Sequence, residues 1–218
     1  MKTINPVKLA WRLGIYCLGL LILAFGVTLA VNGNLGISPV SVLPYVVSQI
    51  VHISLGTCTT LVYALYVLLQ MILSRKFRPT LLLQLVFCTI FGYFVDAAKF
   101  IVGDFCLPTY FGQLAMLAVS IVLIGLSLVF YIDVKLAPMP AEGLVGTISE
   151  LCGKPFSKIK TLFDCTSVLV TATLSLIFLG KLVGIREGTV LTALLVGRTM
   201  GLLRKFVGPW IQKRCFEE

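Results

Sequence analysis

The chain has 218 residues, of which 58% are hydrophobic and only 12% carry a charge, and its mean hydropathy is +1.02. Roughly a quarter of the residues of a soluble globular domain are charged, so this composition excludes an ordinary water-soluble enzyme. Six membrane-spanning helices need about 120 residues, which fits this length. We therefore predict one polytopic membrane domain over residues 1–218, without a second, soluble domain.

The net charge of +9 comes from 18 Lys and Arg against 9 Asp and Glu. Cytoplasmic loops of membrane proteins are enriched in Lys and Arg, and this explains the charge without nucleic acid as a partner. The seven cysteines show no C-x-x-C spacing, and His52 is the one histidine. This pattern predicts reduced, buried cysteines and neither a metal site nor a cofactor.

Apolar stretches of span length follow one another along the chain, separated by Gly, Asn, Pro and basic residues. In a bilayer such stretches cross as helices, because barrel strands would show short segments of alternating polarity. The first stretch has no small-residue cleavage site, so we expect it to be retained as a span. We predict six transmembrane helices, at 9–31, 56–73, 80–102, 110–132, 158–180 and 189–207, the last ending before Gly208 and Pro209.

Two further apolar stretches are too short for an easy crossing: 39–53, which begins at Pro39, and 140–152, which begins at Pro140. If neither crosses and the N-terminus is cytoplasmic, fourteen of the 18 Lys and Arg fall on the cytoplasmic side. This count includes Lys2, Lys76 and Arg78. The charge pattern therefore predicts six crossings, both termini in the cytoplasm, and two re-entrant or interfacial half-helices.

The two halves of the chain share a weak internal repeat. At an offset of 101 or 109 residues, Leu35, Pro39, Leu43, Thr60, Thr80 and Gly92 match Leu136, Pro140, Leu144, Thr161, Thr189 and Gly201. Each unit contains a span, a Pro-led half-helix and two more spans, which predicts repeat 1 at 9–105 and repeat 2 at 110–208. Three crossings per unit invert the second copy. The predicted fold class is thus an all-α polytopic membrane protein of two inverted three-helix repeats, an architecture found in many secondary transporters.

Polar residues in the first half-helix recur at spacings of four, three and four, which places Ser41, Tyr45, Ser48 and His52 on one helical face. Two interpretations remain open. The helix lines a polar cavity, or it lies in the membrane interface with its polar face in water.

Charged residues inside the apolar stretches are the other candidates. Glu142 lies in the first turn of the second half-helix, where the helix dipole stabilises a carboxylate, but it is also a candidate for binding substrate or protons. Asp96 and Lys99, like Asp164 and Lys160, have the spacing of a simple ion pair on one helix.

Arg198 has no acidic residue within reach on its own helix, so it needs a partner from another helix, an anion, or a path along which its side chain snorkels to the membrane interface. The candidate substrate-binding or coupling residues are Glu142, Arg198, Asn34, Ser38, Ser41, Tyr45, Ser48, Gln84, Asp96 and Asp164.

Three short segments carry a family resemblance: Gly36 to Pro39, Pro140 to Gly143, and Arg186 to Thr189 followed by 193–197. They make the chain similar to the YitT/YczE group of bacterial integral membrane proteins over about residues 15–207. The resemblance implies a bacterial inner-membrane location and a role for Glu142 and for the loop Arg186 to Thr189. Members of this group usually carry Pro where this chain has Arg198, so any role of Arg198 is particular to this sequence.

The pattern favours a small-molecule permease of unknown substrate, with the lipid bilayer as its surroundings. The alternative is a non-transporting regulator or assembly partner, because the loops are short and Gly188, Gly197 and Gly201 permit close helix packing. A homo-oligomer is left open. An enzyme is not expected, because the sequence contains no nucleophile–base pair and no phosphate-binding loop.

Overall fold

Eight helices make up the computed structural model, which describes residues 6–75 and 79–216. The predicted cytoplasmic residues Lys2, Lys76 and Arg78 lie outside the described residues. In chain order the helices are α1 (Pro6–Gly33), α2 (Pro39–Val51), α3 (Leu55–Ser74), α4 (Pro79–Val102), α5 (Tyr110–Asp133), α6 (Pro140–Cys152), α7 (Phe156–Leu179) and α8 (Glu187–Cys215).

Proline residues account for several helix starts. Pro39, Pro79 and Pro140 each occupy the first position of a helix, where the fixed φ of proline suits the helix and its missing N–H leaves no bond unmade. At the C-terminal ends of α2, α6 and α7, His52, Gly153 and Gly180 adopt left-handed backbone conformations. The predicted bounds of both half-helices and of the first five spans therefore lie within three residues of the observed ones.

The last predicted span differs most from the structure. We predicted an end before Gly208 and Pro209, but α8 continues through Pro209 to Cys215. A proline inside a helix removes one hydrogen bond, and here the turn beyond it buries Ile211 and Cys215 in the core. Among the described residues, α1, α3, α4, α5 and α7 are long and apolar enough to cross a membrane.

Helix α8 does not meet that condition. It is 29 residues long, but Arg198 and Arg204 interrupt its apolar part. The described residues thus form a multi-pass helical membrane protein with five helices that are long and apolar enough to cross, one fewer than the six predicted spans.

The two ends of the helix bundle are held together by different sets of contacts. At one end, called the termini end, Arg12 near the start of α1 donates hydrogen bonds to the carbonyl oxygens of Val134 and Lys135 just after α5. At the same end Arg204 of α8 forms an ion pair with the buried Asp133, with an N–O distance of 2.8 Å. These contacts join α1, α5 and α8.

At the other end, called the loop end, the connections between helices meet one another. Asn32 near the end of α1 donates hydrogen bonds to the carbonyl oxygens of Gly103 and Phe105. The Arg186 guanidinium, before α8, donates to the carbonyl oxygen of Asn34 at 2.9 Å. Chain segments far apart in sequence therefore share this end.

The core lies where α1 packs along α5. Tyr16, Leu20 and Ala24 of α1 are fully buried. Gly26 permits a close approach, because a Cβ there would lie 2.9 Å from the Ile124 side chain of α5. At the same crossing, Ser120 donates a hydrogen bond of 2.7 Å to the carbonyl oxygen of Gly26. Small residues in an apolar helix therefore allow backbone-to-backbone packing.

The pair α3–α4 is packed more tightly than its counterpart in the second half of the chain. A Cβ on Gly92 of α4 would overlap the Thr60 hydroxyl and lie 2.6 Å from the carbonyl oxygen of Gly56. The matching glycine of α8, Gly201, has no atom within 4 Å of a Cβ position. Among the described residues, α7 and α8 do not pack against each other as α3 and α4 do.

The prediction of buried cysteines holds for some positions only. Cys58, Cys88 and Cys215 are buried, whereas Cys106, Cys152 and Cys165 are exposed. The exposed cysteines lie on a loop, at a helix end, and on α7, where many large apolar side chains are also exposed. An apolar run therefore does not imply burial inside the protein when lipid supplies the apolar surroundings.

Candidate functional site

Both half-helices begin at the same cavity, which we call the central cavity. It has a volume of 280 Å³ and lies among α1, α2, α3, α5, α6, α7 and α8. Its lining includes Ser38, Pro39, Val40 and Ser41 from the start of α2, Met139 and Glu142 from the start of α6, and Tyr63, Tyr131, Lys160 and Asp164 from the surrounding helices.

The start of α2 is held in place by the loop before α8. The backbone N–H of Ile37 donates to the carbonyl oxygen of Gly184 at 2.9 Å. Gly36 has a φ of +113°, and a Cβ there would lie 2.7 Å from the Thr189 hydroxyl, so the chain turns here only with glycine. This turn directs Pro39 into the bundle, where the Ser38 hydroxyl donates to that of Ser41 at 3.1 Å.

The start of α6 is held from the other side by α3 and α4. The Gln70 amide donates to the carbonyl oxygen of Pro140 at 3.1 Å. Gly143 lies so close to this amide that a Cβ would come within 2.5 Å of both Gln70 and Gln84. The first turn of α6 is therefore packed against two buried amide side chains.

Glu142 is the ionisable residue of this first turn. The Tyr131 hydroxyl donates a hydrogen bond of 3.2 Å to its Oε1. Its Oε2 is buried, and no hydrogen-bond partner for it exists among the described residues. A buried carboxylate oxygen without a partner is rare, since it costs free energy comparable to a lost hydrogen bond.

A second cavity meets the central cavity at these two residues. The Gln84 pocket has a volume of 540 Å³ and lies toward the termini end, where α3 ends and α4 begins. Tyr131 and Glu142 line both cavities. The Tyr131–Glu142 hydrogen bond therefore separates the central cavity from a larger pocket on the termini side.

Lys160 and Asp164 form the ion pair that their spacing on α7 predicted, and this prediction is confirmed. The structure adds that both residues line the central cavity. Their side chains are about one quarter exposed, so the pair lies partly open to the cavity.

The predicted pairing of Asp96 with Lys99 is wrong. The Asp96 carboxylate accepts hydrogen bonds from the Ser54 hydroxyl at 2.8 Å and from the Gly56 N–H at 2.7 Å. Asp96 thus binds the N-terminus of α3, whose free N–H groups and dipole favour a carboxylate.

Lys99 instead donates to the side chains of Asn32 and Asp104. This ammonium lowers the pKa of the Asp104 carboxyl, which lies in the loop after α4. Cross-helix partners therefore replace the local pair.

The polar face predicted for α2 is divided between two sites. Ser41 lines the central cavity, whereas Tyr45 and Ser48 line a separate Asp96 pocket near the loop end. His52 does not extend the helical face, because it adopts a left-handed conformation after the end of α2.

Two more candidate residues, Asn34 and Arg198, lie away from the central cavity. Asn34 has a φ of 52°, and its carbonyl oxygen accepts from Arg186 at the loop end. Arg198 is exposed on α8, and the described part of the chain offers its side chain neither a hydrogen bond nor an ion pair. Ser38, Ser41, Glu142 and Asp164 are therefore the candidates that the structure brings together, with Gln84 directly behind Glu142.

Sequence reasoning missed three residues of the cavity. Tyr63, Tyr131 and Lys160 line it, and Tyr131 binds Glu142. The tyrosines stand in apolar stretches without a distinguishing spacing. The spacing of Lys160 predicts only its pairing with Asp164. The one sequence feature that could have indicated a site at Lys160 is its position one turn before Asp164 on an otherwise apolar helix.

Comparisons with known proteins assign a family. The sequence profile of the family of unknown function DUF6198 matches residues 10–205. The chain is 31% identical over 194 residues to "Uncharacterized protein YyaS" of Bacillus subtilis (strain 168), covering 88% of this chain and 92% of the relative. It is 30% identical over 192 residues to "Uncharacterized membrane protein YczE" of the same organism, covering 87% and 84%.

No solved structure matches the chain. The relationship to YczE confirms the resemblance found in the sequence segments. The chain therefore belongs to the DUF6198 family and is a YczE-type membrane protein.

Proposed function

We propose that this chain is a small-molecule permease, in which six spans form two inverted three-helix repeats around the central cavity. The observation that carries the proposal is the meeting of the first turns of α2 and α6 at one cavity inside the bundle. Transporters built from inverted repeats bind substrate near the midplane, at the ends of discontinuous helices.

The packing of the helices supports a duplication. Helix α1 packs on α4 as α5 packs on α8, and α2 packs on α3 as α6 packs on α7. Each half-helix also packs on the second span of the other half, α2 on α7 and α6 on α3. These contacts come in matched pairs, as a two-fold relationship between inverted repeats predicts.

The difference between α3–α4 and α7–α8 suggests how such a permease alternates. In the first repeat the third and fourth helices are in close contact, whereas in the second they stand apart. Two repeats of one design that hold different conformations exchange them when access changes from one side to the other. We infer that closing α7 on α8 accompanies opening of α3 from α4.

The distribution of basic residues supports a cytoplasmic termini end in a bacterial inner membrane. Lys8, Arg12, Arg204, Lys205 and Lys213 lie on the parts of α1 and α8 at that end. Cytoplasmic surfaces carry such an excess of Lys and Arg. In this orientation the Gln84 pocket faces the cytoplasm and the Asp96 pocket faces outward.

Uptake into proteoliposomes tests the permease directly. We expect the purified protein to accumulate at least one member of a labelled panel containing a cation, an anion, a zwitterion and a neutral solute: tetramethylammonium, glutarate, alanine and sorbitol. Protein-free vesicles of the same lipid serve as the control. Accumulation of none of the four above this control would contradict the permease.

A second candidate function rests on exposed residues of α8. Gly201 has no atom within 4 Å of a Cβ position, and Arg198 is exposed one turn before it. An open small residue near an arginine suits a helix of another protein that supplies a carboxylate. A stoichiometric partner that is retained on purification and lost in Arg198→Leu would favour this assembly role.

A further inference from the structure

Acidic side chains outnumber basic ones among the residues that line the central cavity. Two carboxylates, Glu142 and Asp164, face one ammonium, Lys160. The ammonium is bound to Asp164 through the ion pair on α7. Glu142 and Asp164 therefore share one ammonium among the residues that line the cavity.

Glu142 also has an unused acceptor. Tyr131 satisfies Oε1, but the buried Oε2 has no partner among the described residues. Glu142 lies in the first turn of α6, at the positive end of the helix dipole. A buried carboxylate is stable only when it is paired, so a cationic ligand beside Glu142 would supply the opposite charge.

The other side chains that line the central cavity determine which kind of cation fits. Tyr63 and Tyr131 contribute aromatic rings, and Leu23, Ile124 and Leu128 contribute aliphatic side chains. Aromatic rings attract ammonium groups, including quaternary ones, and aliphatic walls accept their alkyl groups. A hydrated metal ion needs several oxygen ligands instead.

We propose that the central cavity binds a small organic cation, whose ammonium group pairs with Glu142 while its alkyl part contacts Tyr63, Tyr131 and the aliphatic wall. The proposal rests on the permease function, and it names the substrate class of that permease. The cavity volume of 280 Å³ limits the ligand to a small molecule.

Three ligands of one shape test the charge requirement: choline, its neutral carbon analogue neohexanol, and the anion of tert-butylacetic acid. The readout is the thermal midpoint of the purified full-length protein in detergent at constant ionic strength. A ligand that binds only the folded state raises this midpoint with its concentration. We expect choline to raise it saturably, and the other two to leave it unchanged.

The variant Glu142→Gln removes the charge and keeps the shape. We expect it to weaken choline binding by about tenfold or more, corresponding to about 1.4 kcal/mol or more. Asp104→Asn is the matched control, because this carboxylate lies in the loop after α4, and its side chain is 98% exposed. Unchanged choline binding in Glu142→Gln, or equal stabilisation by the anion, would overturn the proposal.

A second variant does not depend on how well Glu142→Gln folds. Lys160→Met removes the cavity's ammonium and leaves Asp164 unpaired, so we expect it to bind choline more tightly than the unmodified protein. Weaker binding in Lys160→Met would count against a cation site. The binding and uptake experiments can fail separately. Uptake of anions only would contradict the cation site but not the permease. Choline binding without uptake of any solute would contradict the permease but not the cation site.

Discussion

Replacing Gly92 by alanine is expected to destabilise the protein by about 3 kcal/mol, which would lower its thermal midpoint by roughly 6–12 °C. The new Cβ would overlap the Thr60 hydroxyl and lie 2.6 Å from the Gly56 carbonyl oxygen. Because one of these obstacles is backbone, α3 and α4 would have to move apart. The measurement is the thermal midpoint of the purified protein in detergent.

Gly201→Ala is the matched control for this substitution. Gly201 is the sequence match of Gly92 in the second half of the chain, but a Cβ there has no atom within 4 Å. We expect no loss of stability, and a gain of up to about 1 kcal/mol from the better helix propensity of alanine. Equal losses in the two variants would show that α7 and α8 are packed as closely as α3 and α4.

A disulfide between α7 and α8 is expected to abolish uptake completely. The pair to be joined is Thr161→Cys with Gly201→Cys, the matches of Thr60 and Gly92, in a chain whose seven native cysteines are replaced. If the two repeats exchange conformations, these positions approach within disulfide distance during each cycle. Oxidation during turnover should then trap the closed α7–α8 state, and reduction should restore uptake.

The single variants Thr161→Cys and Gly201→Cys, treated with the same oxidant, control for effects of oxidation alone. Each should retain its uptake, because neither can form the intramolecular bond. The proposed alternation fails if the linked protein transports at the rate of the reduced protein. It also fails if the pair never links during turnover.

The sequence predicted the helices well because their boundaries are set by local chemistry. Proline at the first position of α2, α4 and α6 marks each start without reference to the rest of the fold. The end of α8 was missed because its last turns depend on burial of Ile211 and Cys215 against other helices. That burial is a tertiary effect, and it outweighs the hydrogen bond lost at Pro209.

The candidate site could be predicted only in part. Glu142 was identifiable as a carboxylate in a Pro-led apolar helix, but its partner Tyr131 belongs to another helix and leaves no pattern in the sequence. Asp96 was assigned to its local neighbour Lys99, although the N-terminus of α3 binds it. Apolar helices carry little information on which faces meet, since packing between them depends on shape rather than on hydrophobic contrast.

In the proposed permease the two half-helices enter the bundle from opposite faces of the membrane. Their outer ends offer exposed positions for a test: His52 follows α2, and the native Cys152 ends α6. Single-cysteine chains carrying either His52→Cys or Cys152 can be treated with a membrane-impermeant maleimide in right-side-out and in inside-out vesicles. A chain that keeps only the exposed loop residue Cys106 supplies a reference for the loop end.

We predict that His52→Cys and Cys106 react in right-side-out vesicles, whereas Cys152 reacts only in inside-out vesicles. Reaction of His52→Cys and Cys152 from the same side would contradict opposed entry, and with it the inverted repeats on which the permease is based.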